Sequence, residues 1–203
     1  MSRVDTAEAL RSLYDQPKGR SVAKELTWLD PHCRRFIALS PFVLLATCDI
    51  AGHADVSPRG DHAGFVAVED DRTLLLPDRP GNNRLDSLEN IIANPAVGLL
   101  FLIPGIDETL RVNGQGEIRA DADLTARFAI GGRQPTTVLR VRVEQAYLHC
   151  AKAFMRSRLW DPDARLPRTT LPSMGEMLKD QIGLQGPAET QAEMLTRYRD
   201  LLY

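Results

Sequence analysis

The sequence has few cysteines, no long apolar run and no long run of charges of one sign. Its three cysteines, Cys33, Cys48 and Cys150, are odd in number and lack the paired spacing of a zinc site, so we predict reduced thiols and neither a disulfide scaffold nor a metal centre. No apolar stretch approaches the roughly 20 residues of a membrane span, and the polar, acidic start lacks the apolar core of a signal peptide. These absences predict a cytoplasmic protein without a membrane partner.

The charges of the chain are nearly balanced. Its 203 residues include 25 Lys and Arg against 27 Asp and Glu, for a formal net charge of −2. A protein that binds nucleic acid or an anionic membrane usually carries an excess of basic residues, so the composition predicts neither partner. The hydrophobic fraction of 43% is enough for one substantial core, which favours a single domain with appendages.

Hydrophobic periodicity divides the chain into three parts. Residues 1–40 have apolar residues at helical spacing and an Asp30-Pro31 pair suited to begin a helix. Residues 41–150 change to short strands joined mostly by turns, and residues 151–203 return to a helical pattern. We therefore predict one domain, in which an N-terminal helical segment packs on a central barrel and a C-terminal helical extension follows it.

Short strands dominate the central part. The segments with strand character are residues 42–48, 54–57, 65–68, 73–76, 97–103, 109–119 and 139–143. The clearest alternation of apolar and polar residues runs from Thr109 to Arg119, and Gly114 and Gly116 within it predict a bend or bulge of the kind that closes a small barrel. This succession of short strands joined mostly by turns favours a mainly β barrel over a fold in which parallel strands alternate with helices.

A polar loop at residues 78–88 lies between two apolar strands and opens a short amphipathic helix. A helix start offers unpaired backbone N–H groups and a partial positive charge, which suit the phosphate of a nucleotide or flavin. Four side chains add donors and charge at this end: Asn82, Asn83, Arg84 and Ser87. The same loop could instead only cap the helix, since Asn83 and Asp86 have the spacing of a capping box.

Three sequence blocks resemble the split-barrel flavoproteins related to pyridoxamine 5'-phosphate oxidase. The blocks are residues 56–61, residues 74–78 with 82–88, and residues 94–101 with 111–114. The resemblance covers residues 32–150 in outline. It implies a mainly β fold with flanking helices, built on a six-stranded antiparallel split β-barrel, and a homodimer with FMN at each of two sites between the subunits.

The resemblance also implies which residues bind the FMN. The implied set is Ser57, Arg59, Pro77, Asp78, Asn82, Asn83, Arg84, Ser87, Thr109 and Arg111. Arg59 and Arg84 would hold the phosphate or ribityl chain, residues 77–78 would lie beside the ring, and Thr109 and Arg111 would reach the ring from the long strand. Taken alone, Arg59 could be a solvated turn residue and Arg111 could belong to a surface cross-strand pair.

The chain lacks one element of the true vitamin oxidases of that family, an Arg-x-His arrangement near the C-terminus that holds the substrate phosphate. We therefore predict an FMN-dependent oxidoreductase that transfers a hydride between FMN and a small molecule other than pyridoxamine phosphate. No catalytic residue is predicted, because the flavin supplies the redox chemistry. A non-catalytic flavin carrier, store or redox sensor, or a relative that binds a deazaflavin or haem-like ligand, would need the same cradle.

The segment after the last predicted strand contains further polar groups. Lys152, Arg156 and Trp160 are four residues apart, and we predict that they share one helical side as an anion-facing patch at the pocket mouth. His149 stands beside Cys150, a pair that could suggest a metal ligand or a nucleophile. Two adjacent residues do not make such a site, so packing is the simpler interpretation.

Overall fold

The computed structural model describes residues 3–199 and 201–202 and shows a mainly antiparallel β protein with flanking helices. The strands are β1 (Phe42–Cys48), β2 (Ala54–Gly60), β3 (Ala67–Val68), β4 (Thr73–Pro77), β5 (Ala96–Leu102), β6 (Thr109–Arg119) and β7 (Val138–His149). They form one sheet in the order β2-β1-β5-β6-β7-β4-β3, and every neighbouring pair is antiparallel.

The sheet has seven strands where the resemblance implied six. The extra strand, β3, has two residues and pairs with β4 at one edge of the sheet, and β2 forms the other edge. The two sides of the sheet nevertheless approach each other, since Arg59 Nη1 of β2 lies 2.7 Å from Oδ1 of Asp78, the residue after β4. The antiparallel architecture is confirmed, and a barrel of six strands stays a prediction.

Helices precede, interrupt and follow the sheet. In the described residues they are α1 (Ala7–Ser12), α2 (Gly19–Ala23), α3 (Pro31–Leu39), α4 (Asp86–Ala93), α5 (Ala122–Ala126), α6 (Lys152–Ser157), α7 (Met174–Ile182) and α8 (Gln191–Arg199). The predicted start of α3 is confirmed, because Asp30 Oδ1 accepts a hydrogen bond from Cys33 N at 2.7 Å and Pro31 is the first helical residue. None of the helices described is both long and apolar enough to span a bilayer.

The core lies on the inner face of the coiled sheet, beneath α3 and α4. Alternation in β1 puts Val43 and Leu45 on this face, where they join Phe101 of β5 and Val112 of β6. Ile37 of α3 packs into the same cluster. Burying a side chain of this size stabilises the fold by about 1.5–3 kcal/mol, so these positions hold the sheet in its coiled form.

The predicted irregularity in β6 is confirmed. The pairing of β6 with β7 shifts register between Asn113 and Gly114. A Cβ atom at Gly114 would collide with the backbone carbonyl of Arg142, so the close approach of the two strands requires glycine. This bulge bends the long strand around the core.

Helices flank the sheet on both sides of the described chain. At the N-terminal end, Leu26 pairs with Ala146 of β7 and ties the segment to the sheet. At the C-terminal end, α7 and α8 pack against each other, and Ser173 and Glu176 form a capping box at the start of α7. The division into residues 1–40, 41–150 and 151–203 stays a prediction, of which residues 1–2, 200 and 203 lie outside the described residues.

Candidate functional site

A cleft of about 260 Å³ lies where β2 meets the start of α4. Because strand side chains alternate, the inner face of β2 carries Asp55, Ser57 and Arg59. These side chains lie on the same side of the sheet as the buried residues of the neighbouring strand β1. The loop at residues 78–88 forms the other wall. Seven of the ten predicted cofactor-binding residues line this cleft: Ser57, Arg59, Asp78, Asn82, Asn83, Arg84 and Ser87.

Arg59 is a largely buried cation whose buried Nε donor is unused. Its Nη1 donates to Asp78 Oδ1 at 2.7 Å, and the two side chains are 23% and 20% exposed. Its Nε is buried and has no hydrogen-bond partner. A buried N–H without an acceptor costs about 1–3 kcal/mol, so this atom indicates a position where a ligand oxygen would be stabilised. The interpretation of Arg59 as a solvated turn residue was wrong, since it lies within β2.

Helix α4 begins without a side-chain cap. Its N-cap is Leu85, which has a left-handed φ of 61°, and Asn83 has a φ of 58°. The predicted capping box is not formed, and Asn82 Oδ1 instead accepts a hydrogen bond from Arg84 N at 3.1 Å. Two left-handed residues other than glycine cost on the order of 1–3 kcal/mol each, a strain typical of ligand-binding loops. The first-turn amides are thus left without a side-chain acceptor at the cap.

Arg84 is the exposed cation of the cleft. Its side chain is 73% exposed, and its Nε and Nη2 lie 2.9 Å and 2.8 Å from Asp86 Oδ2. An exposed ion pair of this kind contributes little to stability. Arg84 can therefore exchange the carboxylate for a ligand phosphate at small cost.

The two serines of the cleft are fixed by a polar network. Ser87 Oγ donates to Asp55 Oδ2 at 2.5 Å and lies 2.9 Å from Ser57 Oγ, so Ser57 donates to Ser87. Thr47 Oγ1 donates to the same carboxylate at 3.3 Å and accepts from Asn90 Nδ2 at 3.1 Å. Three residues of this network were not predicted from the sequence: Asp55, Thr47 and Asn90. The two-residue spacing of Asp55 and Ser57 was the signal that could have identified the first of them.

Pro77 lies next to the cleft rather than in it. It ends β4 and lines a cavity of about 10 Å³ together with Arg59, Asp78 and Leu88. Since Arg59 and Asp78 also line the larger cleft, the two cavities adjoin. Contact of Pro77 with a flavin ring stays a prediction.

Thr109 and Arg111 are not brought to the cleft within the chain. The strand pairing places Arg111 of β6 in line with Pro58 of β2, with β5 and β1 between them. Three steps between neighbouring strands correspond to about 14 Å along the sheet. Its Nη1 donates to Tyr147 OH at 3.0 Å, and Thr109 is buried. Contact of these two residues with a flavin ring stays a prediction.

The residues predicted at the pocket mouth do not share one helical side. Lys152 and Arg156 lie on α6, but the helix ends before Arg158, which has a left-handed φ of 52°. Trp160 follows this turn, and its Nε1 donates to the carbonyl oxygen of Ile106 at 2.9 Å. The prediction of a common side was wrong because the left-handed residue ended the helix one turn early. None of the three predicted residues lines the cleft at α4.

All three cysteines are free thiols, as predicted. Burial, with a hydrogen bond to Asp30, raises the pKa of the Cys33 thiol to about 12. Cys48 accepts a hydrogen bond from Asn94 Nδ2 at 3.1 Å, and Cys150 is exposed. A thiol with the pKa of Cys33 is protonated at neutral pH, so it is no nucleophile.

One sequence comparison matches most of the sheet and the cleft. A profile described as pyridoxamine 5'-phosphate oxidase matches residues 29–150, more than half of the chain. The matched range includes every strand and the loop before α4. Among curated proteins, no sequence matches the chain.

Solved structures of low sequence identity are similar to part of the chain. HupZ of Group A Streptococcus is 19% identical, with a TM-score of 0.46 over 58% of this chain and 90% of that one. General stress protein 26 of Bacillus anthracis is 16% identical, with a TM-score of 0.42 over 58% and 93%. HutZ, a haem storage protein of Vibrio cholerae, is 14% identical, with a TM-score of 0.42 over 60% and 93%.

Proposed function

The chain belongs to the pyridoxamine 5'-phosphate oxidase family, and we propose that it is an FMN-dependent oxidoreductase that acts on a small molecule. The observation that carries the proposal is the buried, unpartnered Nε of Arg59 in a cleft beside the uncapped start of α4. An oxyanion at this position would accept from the guanidinium and from first-turn amides.

The residues of the cleft fit the polar tail of FMN. Three arginines, Arg59, Arg79 and Arg84, supply positive charge, and Asn82 and Asn83 supply amide groups. Three carboxylates also line the cleft, and Asp78 and Asp86 each hold one arginine. They leave the cleft close to neutral, so phosphate binding would rely on directed hydrogen bonds more than on net charge.

The side chains of the cleft have separable tasks. Asp78 orients Arg59 through the 2.7 Å contact with Nη1, which leaves the buried Nε free to donate to a ligand oxygen. Ser57 lies beside the tail and is itself fixed by Ser87. FMN, when bound, would supply a ring that accepts or donates a hydride, and no side chain is assigned a proton transfer. Because the sequence has no Arg-x-His pair, we propose a substrate other than pyridoxamine phosphate.

The proposal includes a homodimer that borders the cleft. Leu44 and Ala46 of β1 neighbour Pro58 and Val56 of β2 on the outer face of the sheet, and Leu100 of β5 extends this apolar patch. Val56 is 60% exposed. An exposed apolar patch at a sheet edge suits an isologous contact with a second copy. Since β2 also provides cleft residues, such a copy would complete the pocket.

The cofactor proposal is tested by titrating the full chain with FMN and with riboflavin, which lacks the phosphate, and following the visible difference spectrum. We expect FMN to bind at least about tenfold more tightly, because riboflavin cannot use the arginines. Equal affinities would remove the phosphate from this cleft, and no binding of either would refute the function. Mass analysis of the ligand carried by purified protein distinguishes FMN from a deazaflavin or a haem.

Turnover and assembly need separate measurements. Anaerobic reduction of the bound flavin by nicotinamide cofactors or candidate substrates, followed by reoxidation, separates an oxidoreductase from a carrier, store or sensor, whose flavin would not cycle.

For the dimer, Val56→Lys should yield a monomer in light scattering at micromolar concentration. Ile50→Lys is the matched control, since Ile50 is 84% exposed in the turn before β2 and outside the patch.

A further inference from the structure

A second group of polar side chains lies at the far end of β6 and β7. Arg111 Nη1 donates to Tyr147 OH at 3.0 Å, and its guanidinium carbon lies 5.6 Å from the centre of the tyrosine ring. Lys24 Nζ lies 5.2 Å from the same ring centre, and the ring of His149 lies 5.0 Å from it. We call Lys24, Arg111, Tyr147 and His149 the tyrosine cluster.

The two cations of the tyrosine cluster have no carboxylate partner in the part of the chain that the structure describes. Lys24 Nζ donates to the carbonyl oxygen of Leu148 at 2.5 Å, and Arg111 donates to a neutral phenol. Other arginines on the same strands are neutralised, since Arg142 lies 2.9 Å from Glu144. Two neighbouring cations without a counter-charge favour the binding of an anion.

His149 adds an unused polar atom to the cluster. Its Nε2 is buried and has no hydrogen-bond partner. Burial, together with the positive charges of Arg111 and Lys24, lowers the pKa of His149, so the ring is neutral at pH 7. In the tautomer with hydrogen on Nε2, the ring can donate to an oxyanion, which would remove the cost of the unpartnered atom.

Apolar groups lie at the same end of the sheet. Trp160 stacks on Phe154 with ring centres 5.7 Å apart, and it donates to the carbonyl oxygen of Ile106, which precedes β6 by three residues. Because β6 begins opposite His149, these rings lie at the sheet end that carries the cluster. They offer a surface to the organic part of a ligand.

We infer that the tyrosine cluster binds the oxyanionic group, carboxylate or phosphate, of a small molecule with an aromatic body. Lys24 and Arg111 supply the charge, His149 donates from Nε2, and the body packs toward Trp160. In this proposal Arg111 binds the anion and does not reach the flavin ring, so the site is separate from the cleft at α4 and does not depend on FMN.

The test is a titration of the full chain with benzoate, phenyl phosphate and neutral benzyl alcohol, followed by the NMR signal of the His149 ring. His149→Gln identifies that signal among the four histidines of the chain. We expect a saturable shift with one or both anions and none with the alcohol. The double variant Lys24→Gln with Arg111→Gln should bind at least about tenfold more weakly. Arg142→Gln, which removes an ion-paired arginine of β7, should bind as the wild type does.

Each outcome has a defined meaning. If only benzoate saturates the shift, the ligand group is a carboxylate, and if only phenyl phosphate does so, it is a phosphate ester. If both saturate the shift, the cluster binds an oxyanion of either kind. No saturable shift, equal binding of benzyl alcohol, or unchanged affinity in the double variant would overturn the inference. Displacement of the anion by FMN would also overturn it, because the cluster would then belong to the flavin site. Failure of FMN to bind anywhere would refute the proposed function and leave the anion result standing.

Discussion

The cleft at α4 and the tyrosine cluster both contain cations, but they differ in how the charges are balanced. In the cleft, Arg59 and Arg84 each contact a carboxylate within 3 Å, at 2.7 Å and 2.8 Å. In the cluster, Lys24 and Arg111 contact a carbonyl oxygen and a phenol. Arg59, which is largely buried, is therefore held in place before any ligand arrives, and the charge of the exposed Arg84 is balanced, whereas the cluster retains net positive charge.

This difference suggests two modes of anion recognition in one fold. Oriented donors in a nearly neutral cleft select a ligand by geometry, and their effect depends little on salt. Uncompensated surface cations attract anions of many shapes, and their effect is screened by salt. The following predictions test whether the two regions behave as distinct sites.

The largest effect is expected for Arg59→Met, compared with Arg111→Met. Loss of the buried guanidinium should weaken FMN binding by about 2–3 kcal/mol, because charge-assisted hydrogen bonds in a shielded site are lost. Arg111→Met should leave the FMN affinity nearly unchanged. Calorimetric titration of both variants checks this. A loss in Arg111→Met as large as that in Arg59→Met would instead support the prediction that Arg111 reaches the ring.

Ser87→Ala should lower the free energy of unfolding by about 1–2 kcal/mol, since the Asp55 carboxylate loses a short hydrogen bond beside a buried hydroxyl. Ser157→Ala is the control, because that exposed hydroxyl donates to the carbonyl oxygen of Phe154 at a helix end. Urea denaturation measures both. Equal losses would show that the polar network does not stabilise the cleft.

Arg84→Ala should weaken FMN binding by less than Arg59→Met, by about 0.5–1 kcal/mol. Its side chain is 73% exposed, so solvent and salt screen its interaction with a phosphate. The effect should shrink further as the salt concentration rises. An effect equal to that of Arg59→Met at all salt concentrations would contradict the assignment of Arg84 to the exposed rim.

The smallest effect concerns the protonation of His149. Arg111→Gln should raise the pKa of His149 part of the way to its ordinary value, because a like charge is removed while burial remains. Because the pKa of His149 is lower in the folded state than in the unfolded state, the free energy of unfolding decreases as the pH falls through the ordinary histidine range. This decrease should be smaller in Arg111→Gln than in the wild type. NMR and unfolding at several pH values measure both. An unchanged pKa of His149 would show that the charge of Arg111 is too far from the ring to affect its protonation.

Much of the fold follows from local sequence patterns. The period of two gives β1 and β6 with the predicted bounds, and Gly114 lies at the predicted bulge. The cap at Asp30 is confirmed because it depends on residues three apart. The start of α4 is the exception, since Asn83 and Leu85 adopt left-handed conformations that no capping rule anticipates.

The candidate sites differ in how visible they were before the structure. The cleft contains a contiguous loop, so Asn82 to Ser87 were identified from their order along the chain. The role of Asn90 was missed because a single amide has no local signature, whereas the alternation of Asp55 with Ser57 along β2 could have identified Asp55. The tyrosine cluster was missed as a unit because Lys24, Arg111 and His149 come from three distant segments.

By itself, the amino-acid sequence determined the strands, the turn positions and the polar loop, because these depend on side-chain period and on backbone preferences over a few residues. The tertiary structure decided which strands are neighbours and which side chains meet across them. That choice depends on the register of the coiled sheet, which places Arg59 against Asp78 and separates Arg111 from both.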